Sequence, residues 1–397
     1  MLTQPAPPMN PLLLDTGSPP IPAVHGWDAR YSGAQGPMLD MCQAAPGYPP
    51  APELLARLSE EAGKPDNARY GAIIGDPALR QVYAAWVSEA HGGQVGADQV
   101  AIIAGCNQAF TLAMMAVAQR GDRVMLPVPW YWNHKMTLDM LGIEAVPLPC
   151  EPGDGFVPDP DHAEPLLDGR TRALVLITPN NPTGAVYPPE VIARFRDLCR
   201  RRSVWLILDE TYRDLLPAGQ ERAHDLFADP DWADTVIGLY SFSKSFATPG
   251  HRLGAAMASA GMMEQFYKVL DCLHVCPGRT AQAAMTWAIP ALAGWRAENR
   301  AMINGRGAAM REVFTLLPAG WRIDSLSAYF AYVRHPYPGV AGARVAKRMA
   351  AERGVLCLPG SAFGSGQETH LRLAFAGAGP DRVALLEQRL SGMGQVD

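Results

Sequence analysis

The chain has 397 residues, of which 48% are hydrophobic, and its formal net charge at pH 7 is -5. This length allows a large buried core and suggests two or more domains. With 18% charged residues and no long basic run, the composition favours neither nucleic acid nor an anionic membrane surface as a partner, so we expect small-molecule ligands.

The N-terminal segment Met1–Pro22 is rich in proline and lacks the basic region followed by an apolar one that marks a secretory signal. No uninterrupted apolar run reaches about eighteen residues, so we expect a soluble, cytoplasmic protein without a transmembrane helix. The seven cysteines lack the paired spacing of zinc sites, and no histidine lies in a His-Glu-x-x-His pattern. The sequence therefore predicts free thiols and no metal.

From about Gln99 onward, short apolar runs alternate with longer stretches that are compatible with helices. This alternation is typical of a mainly parallel sheet covered by helices. The predicted strands are Val100–Ile103, Arg123–Leu126, Ala173–Ile177, Val204–Leu208 and Val236–Tyr240. One helix is predicted from Asn107 to Gln119, and another from Pro188 to about Arg202, because proline suits a first helical turn.

After about Cys276 the pattern changes. A long helical stretch continues through residues 305–317, a strand is predicted at Tyr329–Val333, and a further helix precedes a strand at Leu371–Phe375. This order is typical of a smaller α+β domain.

Ligands of α/β proteins bind beyond the carboxyl ends of the strands, so residues that follow each predicted strand are candidate site residues. Gly105, Cys106 and Asn107 form a small-residue turn into a helix, which could hold an anion on free N–H groups or simply cap the helix. The aromatic loop 130–132 follows the next strand. One of its rings could stack on a flat ligand, or the loop could close the end of the sheet.

Two further loops carry polar groups at strand ends. Asn181 lies in a loop that prolines stiffen, which favours a site over a simple turn. Asp209 ends a very apolar strand, where a carboxylate needs a positive partner or a proton, although aspartate also serves as a helix N-cap.

Lys244 follows another predicted strand and is flanked by small hydroxyl residues. Burial at a strand end could lower the pKa of its amine and make it a nucleophile, whereas an isolated lysine is usually solvated. Ser241, Ser243 and Arg252 could together hold a phosphate, since arginine offers a planar fork of donors.

This ordered set resembles the fold-type I pyridoxal-phosphate (PLP) enzymes, specifically the class I/II, aspartate aminotransferase-like family. The motifs are Asn181–Gly184, Asp209–Tyr212, Ser241–Lys244, Arg252–Gly254 and a late Arg372, and the likeness runs from about residue 39 to 375. It implies a large PLP-binding α/β domain with a mainly parallel seven-stranded sheet flanked by helices, and a smaller α+β domain built from the C-terminal part and the N-terminal segment. The implied boundaries are 1–48 for the N-terminal arm and part of the small domain, 49–276 for the large domain and 277–397 for the small C-terminal domain.

By that resemblance, Lys244 would bind PLP as a Schiff base and carry the substrate's Cα proton. Asp209 would face the pyridine nitrogen and keep it protonated. Asn181 and Tyr212 would hydrogen-bond the phenolic oxygen, and Tyr131 would stack on the ring.

The resemblance also assigns residues to the phosphate and to a neighbouring subunit. The phosphate would contact the backbone of Gly105, Cys106 and Asn107 together with Ser241, Ser243 and Arg252. Tyr70 is similar to the tyrosine that reaches the phosphate of the partner subunit, which implies a homodimer with shared active sites. His134 is similar to the histidine that supports Asp209.

Arg372 resembles the arginine that binds the substrate's α-carboxylate through a bidentate pair, so α-amino acids and 2-oxo acids are the implied substrates. Ala44 stands where the family often has a glycine whose backbone approaches that carboxylate. Dicarboxylate-specific relatives read the side-chain acid with an arginine of the partner subunit. Only Arg279 stands near that position, so we do not expect aspartate to be the favoured donor.

The implied activity is a transaminase that works by a ping-pong cycle. A PLP-dependent β-elimination lyase acting on a substituted amino acid is an alternative, because it would use the same cofactor motifs. A PLP-sensing domain of a transcription regulator is a third, less favoured reading. Fewer than forty residues precede the first family-like segment, which leaves no room for a winged helix.

Overall fold

The computed structural model describes residues 7–394 and Val396, so residues 1–6 of the predicted arm, together with 395 and 397, lie outside the described residues. The strands are β1 (Leu39–Asp40), β2 (Val100–Ile103), β3 (Arg123–Val128), β4 (Glu144–Pro149), β5 (Thr171–Ile177), β6 (Trp205–Asp209), β7 (Val236–Ser241), β8 (Gly254–Met257), β9 (Arg322–Ser327), β10 (Phe330–Arg334), β11 (Val355–Leu356), β12 (Leu358–Pro359) and β13 (His370–Ala374). The helices are α1 (Pro11–Asp15), α2 (Pro20–His25), α3 (Pro52–Ala62), α4 (Pro77–His91), α5 (Cys106–Val117), α6 (Trp132–Leu141), α7 (Pro160–Ala163), α8 (Pro189–Arg202), α9 (Phe242–Ser245), α10 (Ala260–His274), α11 (Arg279–Ala291), α12 (Ala293–Leu316), α13 (Gly342–Arg353) and α14 (Pro380–Ser391).

A seven-stranded sheet forms the centre of the fold, in the order β2-β8-β7-β6-β5-β3-β4. The strands from β7 to β4 run parallel, and β8 is antiparallel to both of its neighbours. The predicted mainly parallel, helix-flanked sheet is therefore confirmed. Its parallel strands end at one edge, which is where ligands of such sheets bind.

Helices cover both faces of this sheet, and strand β6 shows the consequence. Leu206 and Leu208 pack into the core on one face, and Ile207 packs into the core on the other. Each of these side chains is fully buried, which stabilises the fold by about 1.5–3 kcal/mol per residue. Burial on both faces explains why the strand reads as a continuous apolar run rather than an alternating one.

A second sheet contains the antiparallel strands β12-β13-β10-β9, and strand β1 pairs in parallel with β11 beside it. The pairing of β1 with β11 joins the N-terminal segment to the C-terminal part of the chain, as the predicted smaller α+β unit requires. Among the described residues, no helix combines the length and apolarity that crossing a membrane would need.

The strands that the sequence did not predict have weak local signals. In β4 exposed and buried positions alternate, and the strand carries Pro147 and Pro149 at the edge of the sheet, so it shows no apolar run. β8 consists of glycine, two alanines and a methionine, residues with little intrinsic preference for strands. Its place between β2 and β7 comes from tertiary packing.

Candidate active site

The polar groups that follow the parallel strands meet around one cavity of about 220 Å³. Most residues that the sequence predicted for the site line it: Ala44, Cys106, Asn107, Tyr131, Asn181, Asp209, Tyr212, Ser241, Ser243, Lys244, Arg252 and Arg372. These positions are spread over more than three hundred residues of sequence, and the sheet edge brings them together.

Lys244 lies on the short helix α9, directly after β7. The Ser241 hydroxyl caps this helix by accepting a hydrogen bond from the Ser243 N–H at 3.3 Å. Lys244 Nζ donates to the Ala44 carbonyl at 2.5 Å, and no carboxylate of the described residues forms an ion pair with it. Burial, together with the positive charges of Arg372 and Arg252, lowers the pKa of the Lys244 amine to about 8. Near neutral pH the amine can therefore lose its proton readily.

Asp209 ends strand β6 and is 4% exposed. One carboxylate oxygen accepts from the Thr211 N–H at 2.9 Å, and the other lies 3.5 Å from His134 Nε2. His134 is itself buried and stacks on Phe110, with ring centroids 3.8 Å apart. No lysine or arginine of the described chain pairs with this carboxylate, so a cationic group in the cavity would stabilise it.

Arg372 on β13 is fully buried. Its Nη1 donates to Asn181 Oδ1 at 2.9 Å and its Nη2 to the Cys42 carbonyl at 2.5 Å, whereas Nε has no partner. Burial lowers the pKa of Arg372 to about 10, so the guanidinium stays charged at neutral pH. The rings of three aromatic residues surround it at 5.1–5.2 Å: Trp132, Phe330 and Phe363. Within the described chain, the hydrogen-bond acceptors of this buried guanidinium are neutral, and no carboxylate forms an ion pair with it.

A second group of donors surrounds the N-terminus of α5. Gly105 has φ +90°, a conformation that side-chain-bearing residues rarely adopt, and a Cβ there would collide with Arg252 Nη2. Arg252 donates to the carbonyls of Pro249 and Ala104 at 2.9 and 3.4 Å. The Ser243 hydroxyl is buried without a hydrogen-bond partner. A helix N-terminus, a guanidinium and an unsatisfied hydroxyl together suit a small oxyanion.

Two phenols line the cavity in their neutral form. Burial raises the pKa of Tyr131 to about 12, and it raises the pKa of Tyr212 well above its usual value. The Tyr131 hydroxyl donates to Asn107 Oδ1 at 3.4 Å. The Tyr212 ring packs against Tyr329 and Phe330, with centroids 5.5 and 5.2 Å away.

Four predicted residues do not line the cavity. Gly105 lies behind Arg252, and His134 lies behind Asp209. Tyr70 is 82% exposed and lies outside the cavity. Arg279 is also outside it, where Nη1 donates to the Asp66 carbonyl.

Several residues of the site carried no local signal. Ile21 of α2 and Gln43 line the cavity from the N-terminal segment, whereas Trp132 and Thr211, which also line it, lie within the predicted aromatic loop and the Asp209–Tyr212 motif. The hydroxyls of Tyr48 and Tyr329 lie 3.2 Å apart, and both donate to the Lys244 carbonyl, at 3.5 and 3.3 Å. These contacts join distant parts of the chain, so no motif could have indicated them.

His91, Glu210 and His224 form a buried cluster next to the end of β6, and none of the three lines the candidate active site. Both imidazole Nε2 atoms lie 3.2 Å from Glu210 Oε1. The Leu226 N–H donates to His224 Nδ1 at 3.1 Å, so the proton of a neutral His224 sits on Nε2 and faces the carboxylate. Burial alone would raise the pKa of Glu210, but the two imidazoles hold it well below its usual range. In this tautomer His224 has no free Nε2 lone pair to offer a metal ion, so the cluster fits a buried network of polar contacts around the carboxylate better than a metal site.

Comparisons with known proteins agree on one family. The family model for aminotransferase class I and II matches residues 36–390. The chain is 29% identical over 382 residues to the valine–pyruvate aminotransferase of Mycobacterium tuberculosis, covering 93% of this chain and 95% of that protein. It is 30% identical over 338 residues to the arginine–pyruvate transaminase of Pseudomonas aeruginosa, covering 84% of each. Its fold matches Thermus thermophilus aspartate aminotransferase with maleate at a TM-score of 0.88 and 23% identity, over 97% of this chain and 99% of that one.

Proposed function

The chain belongs to the class I and II aminotransferases, which are PLP-dependent enzymes, and from that premise we propose that it moves the amino group of an α-amino acid to a 2-oxo acid. The proposed reaction is a ping-pong cycle in which Lys244 binds the cofactor as a Schiff base.

The residues around the cavity fit PLP. The oxyanion site at the α5 N-terminus suits its phosphate, and the unsatisfied Ser243 hydroxyl and the space kept open by Gly105 support this placement. The Asp209 carboxylate, which lacks a lysine or arginine partner in the described chain, suits the protonated ring nitrogen. Lys244 would hold the aldehyde carbon, with Asn181 and Tyr212 at the phenolic oxygen and Tyr131 at the ring face.

When bound, the cofactor supplies an electron sink for the negative charge that develops at the substrate's Cα. The chain supplies positioning and proton transfer. The Arg372 guanidinium holds the α-carboxylate and so fixes the orientation of the Cα–H bond. The Lys244 amine, whose pKa is lowered to about 8, takes the Cα proton as a general base. The carboxylate of Asp209 is held by Thr211 and His134, which fixes its position.

The observation that carries the proposal is that Arg372 is fully buried and has no carboxylate partner in the described chain. A buried arginine costs free energy unless an anion compensates it. Of its five N–H groups, two donate to Asn181 and Cys42, which leaves three for a ligand. An α-carboxylate at this position would place the amino group of the same substrate within the cavity that Lys244 lines.

A single-turnover experiment tests the proposed reaction. The holoenzyme is mixed with each amino acid alone, and the products are assayed. Transamination should yield about one equivalent of 2-oxo acid per active site, no ammonia, and further turnover only when a second 2-oxo acid is added. Continuous release of ammonia and pyruvate without an added 2-oxo acid would instead identify a β-elimination lyase.

We also propose a cytoplasmic homodimer with shared sites, and domain boundaries at residues 48 and 276. The exposure of Tyr70, outside its own subunit's cavity, supports a contact with a partner subunit. Sedimentation velocity of the holoenzyme tests the assembly, since a monomer at working concentrations would contradict it.

A further inference from the structure

A second cavity, of about 480 Å³, lies between the C-terminal end of α4, the segment after β6 and the first half of α12. It shares no lining residue with the candidate active site. Three arginines line it: Arg213, Arg296 and Arg300. None of the three forms an ion pair with a carboxylate of the described chain, which is unusual for partly or fully buried guanidinium groups.

Arg213 is the most deeply placed of the three and is 5% exposed. Its guanidinium carbon lies 4.1 Å from the ring centroid of Tyr240 and 4.6 Å from that of Trp86. Nη1 donates to the Tyr83 hydroxyl at 3.4 Å, but Nε and Nη2 have no hydrogen-bond partner. Cation–π contacts hold the group in place without satisfying these donors, so the three N–H groups on Nε and Nη2 have no acceptor within the described chain.

The other two arginines are half-buried on α12. The Arg296 guanidinium packs on the rings of Trp86 and Phe246, and Nη1 donates to the Ile289 carbonyl at 2.7 Å. Arg300 Nε donates to the Leu216 carbonyl at 2.9 Å, and its Nη2 donates to the carbonyls of Pro217 at 2.8 Å and Gln220 at 2.5 Å, which leaves Nη1 without an acceptor in the described chain. Each guanidinium is thus fixed by ring or backbone contacts and keeps further N–H groups unassigned, which is the preorganised state that favours ligand binding.

None of the carboxylates near this cavity forms an ion pair with the arginines, but two of them, Asp214 and Glu210, lie close enough to stabilise the Arg213 cation through space. The Asp214 carboxylate accepts hydrogen bonds from the Tyr240 and Ser245 hydroxyls, each at 2.6 Å. Glu221 is exposed, and the imidazole of His91 is engaged by the buried Glu210. The whole chain carries a net charge of -5, so anions have no general attraction to it, and any affinity must come from a local site.

We propose that this cavity binds a small organic oxyanion, with a phosphate or carboxylate group held by Arg213, Arg296 and Arg300. The guanidinium fork matches the oxygens of both groups. The volume exceeds that of a bare ion, and the alanines Ala90, Ala293, Ala297 and Ala301 offer an apolar wall for the rest of the molecule. The proposal does not depend on the aminotransferase reaction.

Isothermal titration calorimetry of the PLP-saturated holoenzyme tests the site, with inorganic phosphate and citrate as separate probes. We expect saturable binding of at least one probe, and the probe that binds more tightly identifies the preferred group. Arg296→Gln and Arg213→Gln should each raise the dissociation constant about tenfold or more, because each removes a charge-assisted hydrogen bond. Arg311→Gln is the matched control, since it removes the same charge from an exposed position on the same helix, and it should change affinity by less than about twofold.

Two further variants keep the test decisive. If Arg213→Gln fails to fold because the Arg213 side chain supports the aromatic cluster, the test rests on position 296 alone. Arg296→Gln should then lower the affinity for the probe, and Arg296→Lys, which keeps the positive charge, should restore part of it. An Arg372→Gln holoenzyme should bind the probe as the wild type does. The proposal is overturned if neither probe binds saturably at millimolar concentration, if Arg296→Gln binds unchanged, or if Arg372→Gln abolishes binding, because the anion would then occupy the active site.

Discussion

Replacing Arg372 by glutamine should abolish the recognition of the substrate's α-carboxylate while leaving the cofactor in place. Two charge-assisted hydrogen bonds are each worth about 1.5–3 kcal/mol, so their loss should lower kcat/KM by a factor of about 10² to 10⁴. The shorter glutamine can retain a contact within the protein but cannot supply the planar fork of three free N–H groups.

The assay compares an amino acid with the amine that lacks only its α-carboxylate. In the wild-type enzyme the amino acid should be preferred by the same factor of about 10² to 10⁴, and in Arg372→Gln this preference should fall to within about tenfold. The affinity for PLP serves as the control and should change by less than about threefold, since Arg372 does not border the proposed phosphate site. A variant that keeps the full preference, or that loses cofactor affinity in proportion, would refute this role.

Three other predictions address the cofactor site. Lys244→Ala should lose covalent attachment of PLP and lower turnover by at least about 10³, with an unchanged circular dichroism spectrum; normal turnover would exclude Lys244 as the base. The Lys244 amine is protonated below its pKa of about 8, so the rate at which the apoenzyme captures PLP should rise about tenfold per pH unit up to pH 8 and then level off, as stopped-flow absorbance would show. A rise that continues to pH 10 would indicate an ordinary, solvated lysine. Gly105→Ala should weaken PLP binding by about 1–3 kcal/mol, because φ +90° is strained for alanine and its Cβ collides with Arg252. Gly153→Ala is the control and should leave the affinity unchanged, because a Cβ at that position meets no atom. Fluorescence titration with PLP compares the two variants.

The residues that meet at the centre of the cavity could be predicted from the sequence because local patterns mark them. Asp209 is the last residue of β6, and Lys244 lies three residues after the end of β7. Both strands are buried on both faces, and such strands appear as continuous apolar runs that end at the ligand-binding edge. The Gly105 turn follows a third strand of the same kind.

The periphery of the site could not be predicted because its contacts are long-range. Tyr48 and Tyr329 meet the Lys244 carbonyl from 196 and 85 residues away, and neither belongs to a recognisable motif. Ile21 lies in a segment whose proline content indicated only an arm. The arginines of the second cavity come from the segment after β6 and from α12, and the packing of α12 decides whether their guanidinium groups lie around one cavity.

The carbonyls that bind Lys244 and Arg372 belong to the same short stretch of backbone. Ala44 accepts from the lysine amine and Cys42 from the guanidinium, while Met41 accepts from the N–H of Ala374, the last residue of the strand that carries the arginine, at 2.8 Å. The proposed general base and the proposed carboxylate-binding group are therefore both held by residues 42–44. Efforts to alter substrate choice by redesigning residues 41–44 would disturb both at once, whereas a change to Ile21 would reshape the cavity wall and leave those carbonyl contacts intact.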